Sequence, residues 1–265
     1  MKISLVISTY NRVGALRLCL MSVAHQTRLP DEVIVADDGS TQETHELVEQ
    51  MAAGFPCPLH HAWHEDEGFR LAAIRNKAVR DFCTGDYLIF VDGDIIMERH
   101  FIADHEKMAR SGYFIIGSRA KLNKPMTRYL IMKQSIKVGL FKKGVRRREN
   151  TLRMPFLFFL TKHLYSWKRL YGRGANMAMW YDDFKQVNGF DENMIGYGCE
   201  DFDIFNRLFN IGVKRNYAKF RAIEYHLEHQ KGSRSQQNAQ IFYGDLSRRI
   251  CLNGLVKINE HQNYG

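Results

Sequence analysis

Within the first hundred residues, short apolar runs alternate with stretches of helical spacing, and this rhythm restricts the fold more than any other feature. Lys2 to Ser8 reads as a strand ended by Thr9-Tyr10-Asn11-Arg12, and Val13 to Gln26 repeats Leu16, Leu20 and Val23 at helical spacing. Asp31 to Ala36 is a second strand ending in Asp37-Asp38-Gly39-Ser40, followed by a helical Thr41 to Ala53. Leu59 to Trp63 is a third strand, Arg70 to Phe82 a helix, and Asp86 to Val91 a fourth strand that stops at Asp92-Gly93-Asp94. Strands alternating with helices predict an α/β fold, a mainly parallel sheet flanked by helices. Ligands bind beyond the carboxyl ends of such strands, so the clusters Thr9 to Arg12, Asp37 to Ser40 and Asp92 to Asp94 are expected to share one crevice.

After Gly117 the alternation stops. From Arg119 to Arg173 there are 16 lysines and arginines against one acid, Glu149, a local charge of +15 in a chain whose net charge is +9. The basic character therefore belongs to this insert, with KKGVRRR at Lys142 to Arg148 and the apolar run MPFLFFL at Met154 to Leu160. It reads as a partner-facing surface suited to nucleic-acid phosphates, an anionic membrane face or a phosphate-bearing substrate, with a solvated flexible loop as the plain alternative. Phe156 to Leu160 reads either as core or as an interfacial patch. Order returns near Gly174 to Trp180, with helical stretches at Tyr181 to Val187 and Glu200 to Phe209.

Cysteine usage and hydropathy exclude several classes. The five cysteines are dispersed and form no CxxC pair, so neither a disulfide framework nor a structural zinc site is indicated, and a reducing compartment is expected. No apolar run approaches the roughly 18–20 residues that span a bilayer. The N-terminal MKISLVISTYNR breaks into polar turn residues too early for an export signal.

Several residues invite chemistry. Asp92 and Asp94, around a glycine at a strand end, suit Mg²⁺ or Mn²⁺, which take oxygen ligands; the same pattern also caps helices. His226 and His229, three apart in YHLEH, both face one ion if they sit on a helix or turn, whereas on a strand at most one does. Glu200 and Asp201, with Asp203, open a helix, where acids favour the macrodipole or serve as a general base. Asp38 is placed to accept from a nucleobase N–H and Tyr10 to stack on the ring, while Arg70 and Arg75 on the third helix are placed for phosphates.

These motifs resemble a known family. The first hundred residues are similar to the nucleotide-sugar-binding half of family 2 glycosyltransferases of the GT-A fold: ISTYNR after the first strand, VADDGS after the second, AIRNKA on the third helix, and LIFVDGD with its Asp-x-Asp. The second half resembles the C-terminal region of the β-1,4-galactosyltransferases and chondroitin-type polymerases, through NGFDE, GYGCEDFDIFNRL and HQKGSRSQQNAQIF. The resemblance implies one glycosyltransferase domain over residues 1–265, with a nucleotide-sugar half at 1–118, the basic insert at 119–173 and an acceptor and catalytic half at 174–265. It implies that Asp94 ligates the metal, with Asp92 toward the ribose or the metal. Asp201 would be the base that deprotonates the acceptor hydroxyl, and Glu200 would hold the acceptor sugar. His229 matches the metal histidine, and His226 stands where the galactosyltransferases carry a methionine ligand. Ser8, Tyr10, Asp38 and Arg70 match positions lining the uridine and phosphate site, which Thr9, Arg12 and Arg75 adjoin.

The implied reaction is an inverting, metal-dependent transfer, using Mn²⁺ or Mg²⁺, of a hexose or N-acetylhexosamine from a UDP-sugar to a glycan or lipid-linked glycan. The implied setting is lipopolysaccharide, capsule or other cell-surface polysaccharide synthesis. Animal members carry a membrane anchor and a secretory address; here a cytoplasmic enzyme is expected, with peripheral contact to the inner membrane face and no nucleic-acid partner. Two rivals share parts of the pattern. A sugar nucleotidyltransferase would need no Glu-Asp helix, and a non-catalytic protein for anionic polymers would leave the crevice acids without a purpose.

Overall fold

The computed structural model describes residues 1–139, 142–161, 174–230 and 232–258. Chain order runs β1 (Ile3–Thr9), α1 (Val13–Ala24), β2 (Glu32–Asp37), α2 (Gln42–Ala52), β3 (Leu59–Trp63), α3 (Leu71–Phe82), β4 (Tyr87–Asp92), β5 (Ile95–Met97), α4 (Phe101–Met108) and β6 (Tyr113–Gly117). It continues with β7 (Arg119–Leu122), α5 (Lys124–Met132), β8 (Val145–Arg146), 3₁₀ turns at Arg148–Asn150 and Pro155–Leu157, and α6 (Phe158–Thr161). The remainder is β9 (Asn176–Trp180), α7 (Tyr181–Gln186), α8 (Glu200–Asn210), β10 (Lys214–Ala218), β11 (Glu224–His226) and α9 (Gln236–Gly244).

A seven-stranded sheet in the order β10-β6-β9-β4-β1-β2-β3 carries the fold. β1 pairs in parallel with both β2 and β4, β2 with β3, and β6 with β10, while β9 runs antiparallel between β4 and β6. The α/β architecture with a mainly parallel sheet is therefore as expected from the strand–helix alternation. β1 and β2 are buried along their whole length because helices cover both faces, which is why they read as unbroken apolar runs. Side chains alternate between the faces: Ile3, Leu5 and Ile7 join the layer of α1, α2 and α4, and Val6 faces that of α3, α7 and α8. On the second face Phe90 packs against Phe184 and Phe190, and Phe114 stacks on Phe205. Burying each such ring contributes about 1.5–3 kcal/mol.

Register decides where the polar strand ends meet. Ser8 on β1 lies opposite Ala36 on β2 and Asp92 on β4, and Thr9 lies opposite Asp37. The three clusters are thereby side by side at one edge, as expected.

The basic insert is more ordered than its sequence suggests. Its first part supplies β7 and β8 to a second sheet, in the order β5-β11-β7-β8, over a small core of Leu18, Ile96, Leu122, Leu130 and Leu227. These strands have only two to four residues, too short for periodicity to reveal. The run Phe156 to Leu160 belongs wholly to neither expected role. Phe158 is buried beneath the Arg221 guanidinium, while Phe156, Phe159 and Leu160 are 73%, 71% and 79% exposed. Residues 162–173 of the insert lie outside the described residues. All five cysteines are free thiols, and no helix among the described residues is long and apolar enough to cross a membrane.

The C-terminal segment is locked to α8 and the loop between α7 and α8 by buried charge. Arg207 of α8, fully buried, donates to Asp203 and to the Gly189 carbonyl, each at 2.8 Å. Arg248 pairs with Asp191 at 2.8 Å and Asp203 at 2.6 Å. Asn188, in the left-handed region at φ 61°, donates to the carbonyls of Cys251 and Val256 at 2.8 Å each. The NGFDE motif is thus a clamp for residues 251–256, and Asp203 serves this ion-pair network.

Candidate active site

Three loops converge at the carboxyl ends of β1, β2 and β4. Asn11 adopts φ 47°, its N–H donates to Ser40 Oγ at 2.8 Å, and its Oδ1 accepts the Thr41 N–H at 2.9 Å, so the first two loops are stitched together. Gly39, at φ 92°, lies so close to the backbone of Asp66 that any Cβ there would collide with it. Tyr10 keeps an exposed ring while its hydroxyl donates to Asp66 at 2.8 Å. Asp38 lies 2.7 Å from His64 Nε2 and accepts the Arg70 N–H at 2.9 Å. The Arg70 guanidinium is folded back on Glu67 and the Glu65 carbonyl. His64 carried no signal in the sequence; only the fold shows that it buttresses Asp38.

Asp94, His226 and His229 form a cluster whose ligand atoms all lie within 4.8 Å of one another. Pairing explains the convergence. β11 runs antiparallel to β5, which begins directly after Asp94, so His226 faces Ile95 and the Leu227 N–H donates to the Asp94 carbonyl at 2.9 Å. The strand ends at His226, and the chain then turns, bringing His229 to the same side. The histidine spacing is thus neither all strand nor all helix, and both rings reach Asp94: His226 Nε2 at 3.5 Å and His229 Nε2 at 3.2 Å. His229 Nδ1 is 2.7 Å from the Gln230 carbonyl, which fixes the proton there and leaves Nε2 as the lone-pair nitrogen.

These groups fit a divalent cation. Asp94 Oδ1 is buried without a hydrogen-bond partner. Burial, then the charge of Asp92, raises the Asp94 carboxyl to about 6. Burial, then the Arg119 guanidinium, lowers His226 to about 2, so its ring is neutral, as a ligand requires. Arg12 pairs with Asp94 Oδ2 at 2.9 Å. Asp92, the other expected ligand, is not in the cluster; its carboxylate faces Arg75 at 3.4 Å.

Arg75, expected at the phosphates, is fully buried and joins the two halves of the site. Its Nε donates to Ser8 Oγ at 3.0 Å, Nη2 faces Asp92, and Nη1 donates to Asp201 Oδ1 at 3.1 Å, with the Phe190 ring 5.2 Å from the guanidinium carbon. Beside it Asn76 donates to the Phe190 carbonyl and accepts the Phe190 N–H. Asp201 Oδ2 accepts the Gly174 N–H at 2.7 Å, and a side chain on Gly174 would collide with that carboxylate. Glu200 precedes it after Cys199, which sits at φ 72°, a strained conformation for a residue with a side chain. Burial, then the Asp201 charge, raises Glu200 to about 7, and its Oε2 accepts the Gly198 N–H at 2.8 Å. Around the mouth Phe69 meets Tyr197 edge to face, and Asn238 of α9 holds the Gly196 and Gly198 carbonyls.

The arrangement therefore sets a cation cluster beside two carboxylates, Asp92 and Asp201, that one buried guanidinium holds together. A model of glycosyl transferase family 2 matches residues 4–185, and one described as the N-terminal domain of galactosyltransferase matches residues 160–230. The validoxylamine A glucosyltransferase of Streptomyces hygroscopicus subsp. limoneus is 28% identical over 80% of this chain and 48% of its own length. The chondroitin synthase of Escherichia coli is 25% identical over 85% of this chain and 34% of its own. The chain spans about half the length of the first of these relatives and a third of the second. Among solved structures, the mannosyltransferase PcManGT of Pyrobaculum calidifontis, in complex with GDP-Man and Mn²⁺, superposes with a TM-score of 0.59 at 18% identity, covering 87% of this chain and 58% of that one. TarS of S. aureus, in complex with UDP-GlcNAc, gives 0.57 at 19% identity, covering 88% and 60%.

Proposed function

The chain belongs to glycosyl transferase family 2, and we propose on that premise that it transfers a hexose or N-acetylhexosamine from a UDP-sugar to a glycan hydroxyl, with inversion and with a divalent metal. The observation that carries this reading is the Arg75 guanidinium, which ties Ser8 and Asp92 of the nucleotide side to Asp201 of the acceptor side. Both substrates then meet across a few ångströms, where holding two reactants in line supplies much of the rate.

Each residue has a distinct task. Tyr10, Asp38 and the loop carrying Thr9 face the nucleoside, with Arg12 and Arg70 near the diphosphate. Asp94, His226 and His229 would hold Mn²⁺ or Mg²⁺, which when bound supplies charge neutralisation for the departing diphosphate. Asp201 takes the acceptor proton as that oxygen bonds to the anomeric carbon, while the carbon–phosphate oxygen bond breaks on the opposite face and releases UDP. Arg75 and the Gly174 N–H fix the rotamer of Asp201, leaving a lone pair for that proton. Glu200, with its carboxyl near 7, both donates to and accepts from a sugar hydroxyl at neutral pH.

A UDP-release assay over UDP-galactose, UDP-glucose and their N-acetyl forms, with GDP-mannose as a further arm, tests the reading. Release from one UDP-sugar, dependent on acceptor and Mn²⁺ and abolished by EDTA, is expected. Pyrophosphate release would instead identify a nucleotidyltransferase, and silence with every donor would leave a binding protein for anionic polymers.

We further place the enzyme at the cytoplasmic face of a membrane, acting on a lipid-linked or phosphorylated glycan in cell-surface polysaccharide synthesis. Exposed Phe156, Phe159 and Leu160, in a segment rich in lysine and arginine, support this, because apolar side chains beside basic ones suit an anionic interface. The protein is expected to float with vesicles containing phosphatidylglycerol, and to lose this when all three become Ser. Equal recovery with purely zwitterionic vesicles would refute the membrane assignment.

A further inference from the structure

A second group of histidines lies away from the cleft. His45 on α2 and His61 on the edge strand β3 face each other with their Nδ1 atoms 3.2 Å apart and their ring centroids 5.2 Å apart. Each outer nitrogen meets a carboxylate: His61 Nε2 is 3.0 Å from Asp37 Oδ2, and His45 Nε2 is 3.1 Å from Glu49 Oε1. Asp37 is fully buried, and its other oxygen already accepts the Ser40 N–H at 2.9 Å, so the His61 ring is held in place.

Counting protons along this chain exposes a deficit. Asp37, His61, His45 and Glu49 make three contacts, and each contact needs one proton. Two neutral imidazoles bring two, and the carboxylates draw both to the Nε2 atoms. The two Nδ1 lone pairs are then left pointing at each other. Two lone pairs at that separation repel unless something cationic stands between them.

A metal ion meets this need better than water, which can donate to both nitrogens only from a wider gap. Two nitrogens, each about 2.0–2.1 Å from a tetrahedral ion, stand about 3.3–3.4 Å apart, close to the distance found here. A carboxylate on the far nitrogen is also the usual partner of a metal-bound imidazole, since it fixes the tautomer and raises ligand basicity. Glu43, Glu46 and Glu49 on the same helix make the surroundings anionic. The His45 side chain is 46% exposed, so water can complete the coordination.

We propose that His45 and His61 form a second divalent-cation site, suited to Zn²⁺ or another borderline ion, that joins α2 to β3 independently of the Asp94 cluster. Such an ion would staple the edge strand to its covering helix, and Asp37 would connect it to the loop that carries Asp38.

Calorimetry with zinc chloride tests the site on the full chain. The His229→Gln protein, in which the first cluster is broken, is expected still to bind one ion at micromolar concentration. Adding His45→Gln, on an exposed helix face, should weaken this uptake at least about tenfold, by analogy with the loss of a partner at other metal sites. In long-range ¹⁵N spectra, the Nδ1 resonances of His45 and His61 should shift together on zinc addition. Should the His229→Gln protein take up no zinc, the pair shares a proton instead and the proposal fails. It fails equally if uptake survives His45→Gln unchanged. Because no transfer is measured, the result is separate from the fate of the glycosyltransferase reading.

Discussion

Asp201→Asn is expected to lower kcat by about 10²–10⁴-fold, the range supplied by a positioned general base, while UDP binding stays unchanged. The substitution is isosteric, so the side chain keeps its place between Arg75 and Gly174. Both neighbours are donors, however, and an amide offers one of them an N–H instead of an oxygen. One of the two contacts is lost, which predicts a modest fall in melting temperature alongside the kinetic loss. Turnover measured with saturating donor and acceptor, together with UDP calorimetry, separates the two effects. A variant with near-normal kcat would remove Asp201 from the role of base.

Asp94→Asn should be almost as damaging for a different reason. Stabilising the departing diphosphate by a cation is worth several kcal/mol, so losing the anionic ligand of the cluster is expected to reduce kcat/KM by about 10³-fold or more. Mn²⁺ affinity, read by calorimetry, should fall in parallel, and the residual activity should no longer respond to EDTA. The carboxylate now paired with Arg12 also disappears, freeing that guanidinium. Undiminished Mn²⁺ binding would sink the assignment of Asp94 as a ligand.

The sheet was legible because its central strands are buried on both faces and so spell unbroken apolar runs that stop at polar clusters. The second sheet was not, because strands such as β8 and β11 are shorter than one period of any pattern. The histidine pair was half legible: a spacing of three is ambiguous until one knows that the strand ends at His226. Arg75 is the most instructive case. On α3 the buried stripe runs Ala72, Arg75, Asn76, Val79, the i, i+3, i+4, i+7 spacing of a core face. An arginine and an asparagine in that stripe are polar groups buried in the core, yet helical spacing alone leaves Arg75 open to phosphates in the cleft as well. The apolar run Phe156 to Leu160 could be read as core or as surface because composition alone does not say which face a short helix turns inward.

The bridge made by Arg75 has a consequence for how this architecture diversifies. The guanidinium belongs to the part of the chain that carries the nucleotide loops, whereas Asp201 and Gly174 lie on the far side of the insert. A replacement second half lacking an acid at position 201 would leave the buried Arg75 guanidinium without one of its two carboxylate partners. The two parts of the chain on either side of the insert are therefore coupled through one buried ion-pair network and not independent pieces.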